Sequence, residues 1–254
     1  LKKKYGGDIK SVLTFCEKAE RELNQLQDSK QMHDNICREI EELSIDFSKA
    51  CEALSKRRKE TALKLSEEIK ASLVDLGMPN VIFETDLKWR EDPNGMVNFG
   101  GKVYAATSKG LETGEFFIST NPGEKLRPLV KVASGGEISR IMLALKSIFP
   151  KSDSVQVLIF DEIDTGISGR VAEAVGKRLK ALSKRYQTIS ITHLPQIAGK
   201  ADLHMSARKN VVAGRTVTLV EILNDEERVK EVATMMGGET VSEMTLRHAR
   251  EIIK

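Results

Sequence analysis

The sequence predicts an α/β fold: a mostly parallel sheet flanked by helices, with a small antiparallel β region, joined to a long coiled-coil helix. Three observations predict it. Apolar residues fall on a seam stepping by three, four and seven through Ala19, Leu26, Ile36, Ile40, Leu43, Phe47, Ala50 and Leu54, with the polar Ser29 and His33 filling the gap from Leu26 to Ile36, which is a coiled-coil pattern. Two short apolar runs, residues 155–160 and 188–192, alternate with amphipathic helical patterns, as parallel strands do. Between the seam and the first run, Gly, Pro and Asn punctuate short strand-like stretches, as in antiparallel hairpins.

The chain has 254 residues, enough for a real core, and its 30% charged and 5% aromatic content suits long solvated helices better than a compact sandwich. A formal net charge of +3 neither demands nor excludes a nucleic-acid partner. No apolar run approaches the ~20 residues of a membrane span, and no signal peptide is visible. The first residue is Leu1 rather than Met, so we expect a fragment whose N-terminal part is missing. Cys16, Cys37 and Cys51 share one heptad position and lack metal spacing, which argues for flanking an apolar seam in a reducing, cytoplasmic compartment.

A basic start, Lys2, Lys3 and Lys4, closes at Gly6 and Gly7. A helix is then predicted over residues 9–76. Ser29, His33, Arg57 and Thr61 interrupt its seam, and the stripe then shifts to Leu65, Ile69, Leu73 and Leu76. Such a helix needs an antiparallel partner from elsewhere in the protein or from another chain. His33 reads as a polar seam residue, with a ligand or pH switch as the alternative. Lys56, Arg57, Arg58 and Lys59 form either a solvated face or a contact to DNA phosphates. Gly77 and Pro79 end the helix. Residues 81–83, 87–89 and 115–119 read as strands, Asn94-Gly95 as a turn, and Trp89 as a packing residue.

The chemistry concentrates further on. Ser134, Gly135, Gly136 and Glu137 precede a helical pattern (Ile138, Ile141, Met142, Leu145, Ile148) that stops at Pro150. A helix start of this kind offers free N–H groups and partial positive charge to a phosphate. The 155–160 run ends in Asp161 and Glu162, two acids able to hold Mg²⁺ and orient a water. His193 leaves the 188–192 run. In a parallel sheet both strands end on one edge, so Asp161, Glu162 and His193 can converge on one ligand. Adjacent side chains on a strand diverge, so the chain must turn after Asp161, which residues 164–169 permit. A helix follows over residues 168–182. Residues 202–207 and 216–222 read as a hairpin with Arg208, Lys209 and Asn210 in its loop, and 226–236 and 241–253 as terminal helices. Thr240 or Ser242 would start the last one.

Ser134-Gly135-Gly136-Glu137 resembles the signature motif of ABC-type ATPases in their SMC-like form. The strand through Glu162 resembles a Walker B strand with its catalytic glutamate, residues 164–169 a D-loop, and His193 the switch histidine. The longer words at 1–6, 121–124, 126–140, 161–169 and 192–198 resemble the RecN family of bacterial DNA-repair ATPases, over nearly the whole chain. The resemblance implies a coiled-coil segment at 1–78 and the C-terminal lobe of an ABC/SMC-type ATPase head at 79–254. It implies ATP and Mg²⁺ as cofactors. Asp161 would hold the metal through water, Glu162 would orient the attacking water, and His193 would sense the γ-phosphate. Ser134, Gly135, Gly136 and Glu137 would meet ATP on a second head, with Asp164 and Ser168 at that seam. The implied partners are DNA double-strand ends, a second copy bridged by ATP, and the chain's own N-terminal Walker A lobe and antiparallel coil. No membrane partner is implied, and the setting is a bacterial cytoplasm, at the nucleoid.

The Walker A pattern Gly-x-x-x-x-Gly-Lys-Ser/Thr is absent from the sequence. We therefore expect the chain alone to bind ATP poorly and hydrolyse little or none. Two alternatives stand beside this reading. One is the nucleotide-binding subunit of an ABC transporter, against which stand the coil and Glu137 where transporters carry Gln. The other is a non-catalytic dimerisation module. Candidate DNA contacts are Lys2, Lys3 and Lys4, the run from Lys56 to Lys59, and Arg208 with Lys209.

Overall fold

A computed structural model describes residues 2–5, 7–132, 134–149, 155–212, 215–238 and 241–253, with the backbone alone at 2, 3 and 212. Leu1, Gly6, the expected helix stop Pro150 and the candidate cap Thr240 lie outside the described residues, as do the side chains of Lys2 and Lys3. The elements run α1 (Lys2–Tyr5), α2 (Ile9–Asp75), β1 (Ile82–Trp89), β2 (Val97–Phe99), β3 (Lys102–Tyr104), β4 (Glu112–Ser119), β5 (Arg127–Pro128), α3 (Gly135–Ile148), β6 (Val157–Phe160), α4 (Gly169–Leu182), β7 (Gln187–Ser190), α5 (Pro195–Ala198), β8 (Met205–Val212), β9 (Arg215–Ile222), α6 (Asp225–Gly237) and α7 (Glu243–Ile253). The chain forms two compact units. One is Leu1–Glu60 with Leu87–Thr113, and the other is Thr61–Asp86 with Gly114–Lys254.

In the first unit, α2 carries its seam uncovered: Leu13, Leu23, Leu26, Ile36, Ile40 and Leu43 are all exposed. Cys16 and Cys37 are exposed with them, while Cys51 is buried. Cys51 packs with Val97 and Leu111 against Phe47, Trp89 and Tyr104. Trp89 is a packing residue, edge-on to Phe99 and Tyr104 at 5.4 and 5.1 Å. The β2–β3 hairpin turns at Gly100 and Gly101, both at positive φ (61° and 79°), which a tight primed turn demands. The Asn94-Gly95 turn also forms, but it is closed locally: the Asp92 carboxylate accepts from Asn94 N–H, and Gly95 N–H donates to Asp92 O.

The second unit holds the main core. Ile69, Leu73 and Leu76 from the end of α2 meet Phe83, Ile118, Ile141, Leu143, Ile163 and Val175, all at 2% exposure or less. The α2 helix stops because Gly77 takes φ +80°, letting Met78 N–H reach back to Leu73 O at 2.9 Å. Strands β1, β4 and β5 form one sheet in that order, with β4 and β5 antiparallel. Parallel pairing occurs between β6 and β7, with Ile159 opposite Ile189 and Phe160 opposite Ser190. Strand β7 ends at Ser190, two residues short of expectation, yet Ile191 N–H still donates to Phe160 O at 3.0 Å.

The β8–β9 hairpin corrects one expectation. Arg208, Lys209 and Asn210 lie within β8, opposite Leu219, Thr218 and Val217, rather than in the loop. The β-branched pair Val211 and Val212 carries the strand beyond them, and alternation along a strand tolerates polar residues on an exposed face. Helix α6 starts with a capping box between Asn224 and Glu227. Helix α7 starts after Ser242, whose Oγ accepts from Thr245 N–H at 3.2 Å. Val232, Ala233 and Ala249 join α6 and α7. No helix among the described residues is long and apolar enough to cross a membrane.

Candidate functional site

Helix α3 begins at Gly135 with Ser134 as its N-cap, and Ser134 makes no side-chain cap bond. Its hydroxyl and the first N–H groups of the helix therefore stay available to a ligand. Gly136 is buried because the chain passes close by: a Cβ there would sit 2.9 Å from Glu162 O and 3.0 Å from Thr165 Cβ. A Cβ on Gly135 would run into Glu162 Oε2. The glycines thus let the helix start and the acidic loop approach within van der Waals contact.

The turn needed after Asp161 occurs at Glu162 itself, the non-glycine residue with positive φ (55°) among those described. Asp161 Oδ1 accepts from Glu162 N–H at 2.9 Å, and Thr165 N–H closes the turn on Glu162 O at 3.0 Å. A non-glycine residue in the left-handed region is strained, and such strain clusters at functional sites. Both carboxylates are exposed after the turn.

Asp164 points inward. Its Oδ2 accepts from Thr192 Oγ1 at 2.6 Å and His193 N–H at 2.8 Å, and lies 2.9 Å from His193 Nδ1. The Asp164 side chain is 5% exposed and that of His193 is 75% exposed. With Nδ1 turned to Asp164, Nε2 is the ring nitrogen left for a ligand. Ser168 is exposed at the start of α4 and makes no cap bond through its side chain.

Three residues without an assigned role in the sequence reading prove central. Ser139 Oγ donates to Asp161 O at 2.7 Å. Arg140 Nη1 donates to Thr165 O at 2.8 Å and Ile163 O at 3.3 Å. Thr192 locks to Asp164 and also accepts from Leu194 N–H. The signal for Arg140 was available: it lies on the buried stripe of α3 with Ile141, Leu143 and Ala144. Burial pushes its guanidinium pKa below the ordinary value, against the nearby Glu137 carboxylate.

The basic clusters are partly committed. Arg58 Nη1 donates to Glu112 at 2.8 Å, and Lys59 stands over the Trp89 ring at 5.4 Å. Arg208 pairs with Glu231 at 2.6 Å.

No protein-family model matches the chain. It is similar to the DNA repair protein RecN of Bacillus subtilis (strain 168), 40% identical over 258 residues, covering all of this chain and 44% of that protein. It is similar to the DNA repair protein RecN of Treponema pallidum (strain Nichols) at 38% identity over 254 residues, covering all of this chain and 43% of that one. The chain thus spans less than half the length of these curated relatives. Among solved structures, its fold resembles the Smc head domain with a coiled coil and joint from Pyrococcus yayanosii, with a TM-score of 0.55 at 20% identity, covering 89% of this chain and 38% of that one.

Proposed function

We propose that this chain, RecN-like by its relatives and similar in fold to an Smc head, is the C-terminal part of an ATPase acting in DNA double-strand-break repair and recombination. Residues 1–78 form the coiled-coil segment and residues 79–254 the C-terminal lobe of its head. ATP-driven pairing of two heads, followed by hydrolysis, is the cycle. The observation that carries this reading is the meeting of three separate sequence motifs in one place. The α3 start touches Glu162, and Asp164, two residues on, holds His193.

Each residue has work that its surroundings suit. Glu162 presents an exposed carboxylate to orient or deprotonate the attacking water. His193, steadied through Nδ1 by Asp164, offers Nε2 to the γ-phosphate. Ser134, Gly135, Gly136 and Glu137 offer the α3 start to the γ-phosphate on a second head, and Ser168 lies near that seam. Among the described residues no three His, Cys or acidic side chains cluster as a metal cage. Mg²⁺ held through one carboxylate, water and substrate phosphates needs no such cage. Asp161, with Oδ1 accepting from Glu162 N–H and Oδ2 left over, is the residue that would hold it. Mg²⁺ would neutralise charge on the phosphates.

Two uncovered surfaces support further partners. Val157, Ile159, Ile189 and Ile191 are exposed on the β6–β7 pair, although parallel sheets are ordinarily covered on both faces. An N-terminal lobe carrying the Walker A loop is the cover we assign. The exposed α2 seam takes an antiparallel coil from the same protein. DNA ends are the substrate of the whole protein, in a bacterial cytoplasm at the nucleoid. Light scattering and ATPase assays of the whole protein test this reading: ATP with Mg²⁺ should raise its mass through head pairing, and linear DNA should raise turnover. A protein unaffected by both would overturn it.

A further inference from the structure

We propose that Arg140 is a positioning residue that couples the phosphate-binding start of α3 to the loop bearing Asp161, Glu162 and Asp164. The inference rests on the function proposed above and goes beyond it by assigning a residue outside the signature, Walker B, D-loop and switch motifs.

The placement of the bonds carries the argument. Ser139 Oγ reaches the carbonyl of Asp161, and Arg140 Nη1 reaches those of Ile163 and Thr165. Two adjacent side chains thus hold alternate peptides along the loop. The two carbonyls on Arg140 flank Asp164, whose carboxylate in turn holds Thr192 and His193. A continuous set of hydrogen bonds therefore runs from the first turns of α3, through Arg140 and the loop backbone, to the switch histidine. Gly136 lies against the same loop at Glu162 O and Thr165, so the helix start cannot shift without pressing on it.

Packing alone gives a poor account of this residue. Arg140 is 6% exposed, and its buried Nε has no hydrogen-bond partner among the described residues. A desolvated guanidinium with an unsatisfied N–H is costly, and an unbranched apolar side chain of similar length would fill the space at less cost. The forked donor group offers what an apolar side chain lacks: one nitrogen bridging two carbonyls at a fixed spacing. A displacement near 1 Å in a catalytic group lowers rate by about a hundredfold, so loosening this loop should appear in turnover before it appears in folding.

The experiment uses the whole protein and four variants: Arg140→Met, Arg140→Lys, Ser139→Ala and the Ser139→Ala/Arg140→Met double. ATP hydrolysis, ATP-dependent head pairing by light scattering and thermal unfolding are measured for each. The proposal expects Arg140→Met to lose about a hundredfold in kcat, with KM and pairing near those of the parent and an unfolding temperature only slightly lowered, because removing the desolvated guanidinium offsets much of the loss at the two carbonyls. Arg140→Lys should recover part of the loss. The double variant should lose less than the product of the two single losses, because both act on one loop. Turnover within twofold of the parent in Arg140→Met would overturn the proposal. So would a parallel loss of pairing and folding in Arg140→Met together with parent-like turnover in Ser139→Ala. Failure of the parent to hydrolyse ATP or to pair its heads would instead refute the ATPase reading itself.

Discussion

Asp164 Oδ2 lies 2.9 Å from His193 Nδ1 and takes two further hydrogen bonds from the same strand end, one from Thr192 Oγ1 and one from His193 N–H. One buried oxygen thus fixes both the backbone and the ring of His193. Replacing Asp164 with Ala leaves those donors without their acceptor. Each part-buried bond contributes about 0.5–1.5 kcal/mol, so Asp164→Ala, which removes more than one of them, should lose about 1–3 kcal/mol of stability in urea unfolding of the chain. A change under 0.5 kcal/mol would show that the three bonds hold nothing in place.

Glu162→Gln in the whole protein keeps the shape of the side chain and removes its basicity. Turnover should fall about 10²- to 10⁴-fold, the usual contribution of a general base. ATP-dependent head pairing should persist, because the α3 start is untouched. Steady-state ATPase assays with light scattering check both. Parent-like turnover would sink the role assigned to Glu162.

The two glycines of α3 should respond differently to Ala. A Cβ at Gly136 meets Glu162 O at 2.9 Å and Thr165 Cβ at 3.0 Å, in a backbone that has little room to give. Gly136→Ala should cost about 1–3 kcal/mol through overpacking, even though Ala favours helix by ~1 kcal/mol over Gly. A Cβ at Gly135 meets the end of the flexible Glu162 side chain, at Oε2. Gly135→Ala should leave urea unfolding almost unchanged while displacing the Glu162 carboxylate and lowering turnover. Equal stability losses in both variants would contradict the packing described.

Much of this arrangement was legible in the sequence, and the limits have physical causes. The α3 start, the β6 and β7 strands and both terminal helices announce themselves through period and capping residues, such as Ser242 before α7. The short β2 and β3 strands were missed, because three residues are too few to show alternation; only Gly100 and Gly101 marked their turn. Arg208 to Asn210 read as a loop in the sequence because their polarity outweighs the β-branched residues that follow. At the site, motif spacing brought Asp161, Glu162 and His193 together but could not show which way Asp164 faces. An acid in a glycine-containing loop reads as exposed, and its burial depends on Thr192 and His193, nearly thirty residues later in the chain.

In the first unit, Glu112 is enclosed, and Arg58 Nη1 and Trp89 Nε1 donate to its carboxylate at 2.8 and 3.2 Å. Burial pushes this carboxyl up, and the polar groups of Ser55, Arg58 and Trp89 outweigh it and hold its pKa below the ordinary value. A lowered carboxylate pKa contributes stability above the unfolded-state pKa of about 4.3 and loses it as pH falls through the folded value. Arg58 is a third exposed, so Glu112→Gln should cost about 1–3 kcal/mol at pH 7, less than a fully buried pair. Urea unfolding should show that difference shrinking below about pH 4. A difference constant with pH would contradict the assignment.

ATP hydrolysis by this chain, alone and then mixed with a separately made lobe carrying the Gly-x-x-x-x-Gly-Lys-Ser/Thr loop, distinguishes a split head from a complete one. The chain alone should be silent and should become active on mixing, more so with linear DNA, because its sequence supplies Asp161, Glu162 and His193 but no Walker A loop. Robust hydrolysis by the chain alone would mean that it holds a complete nucleotide site, and the split head would have to be abandoned.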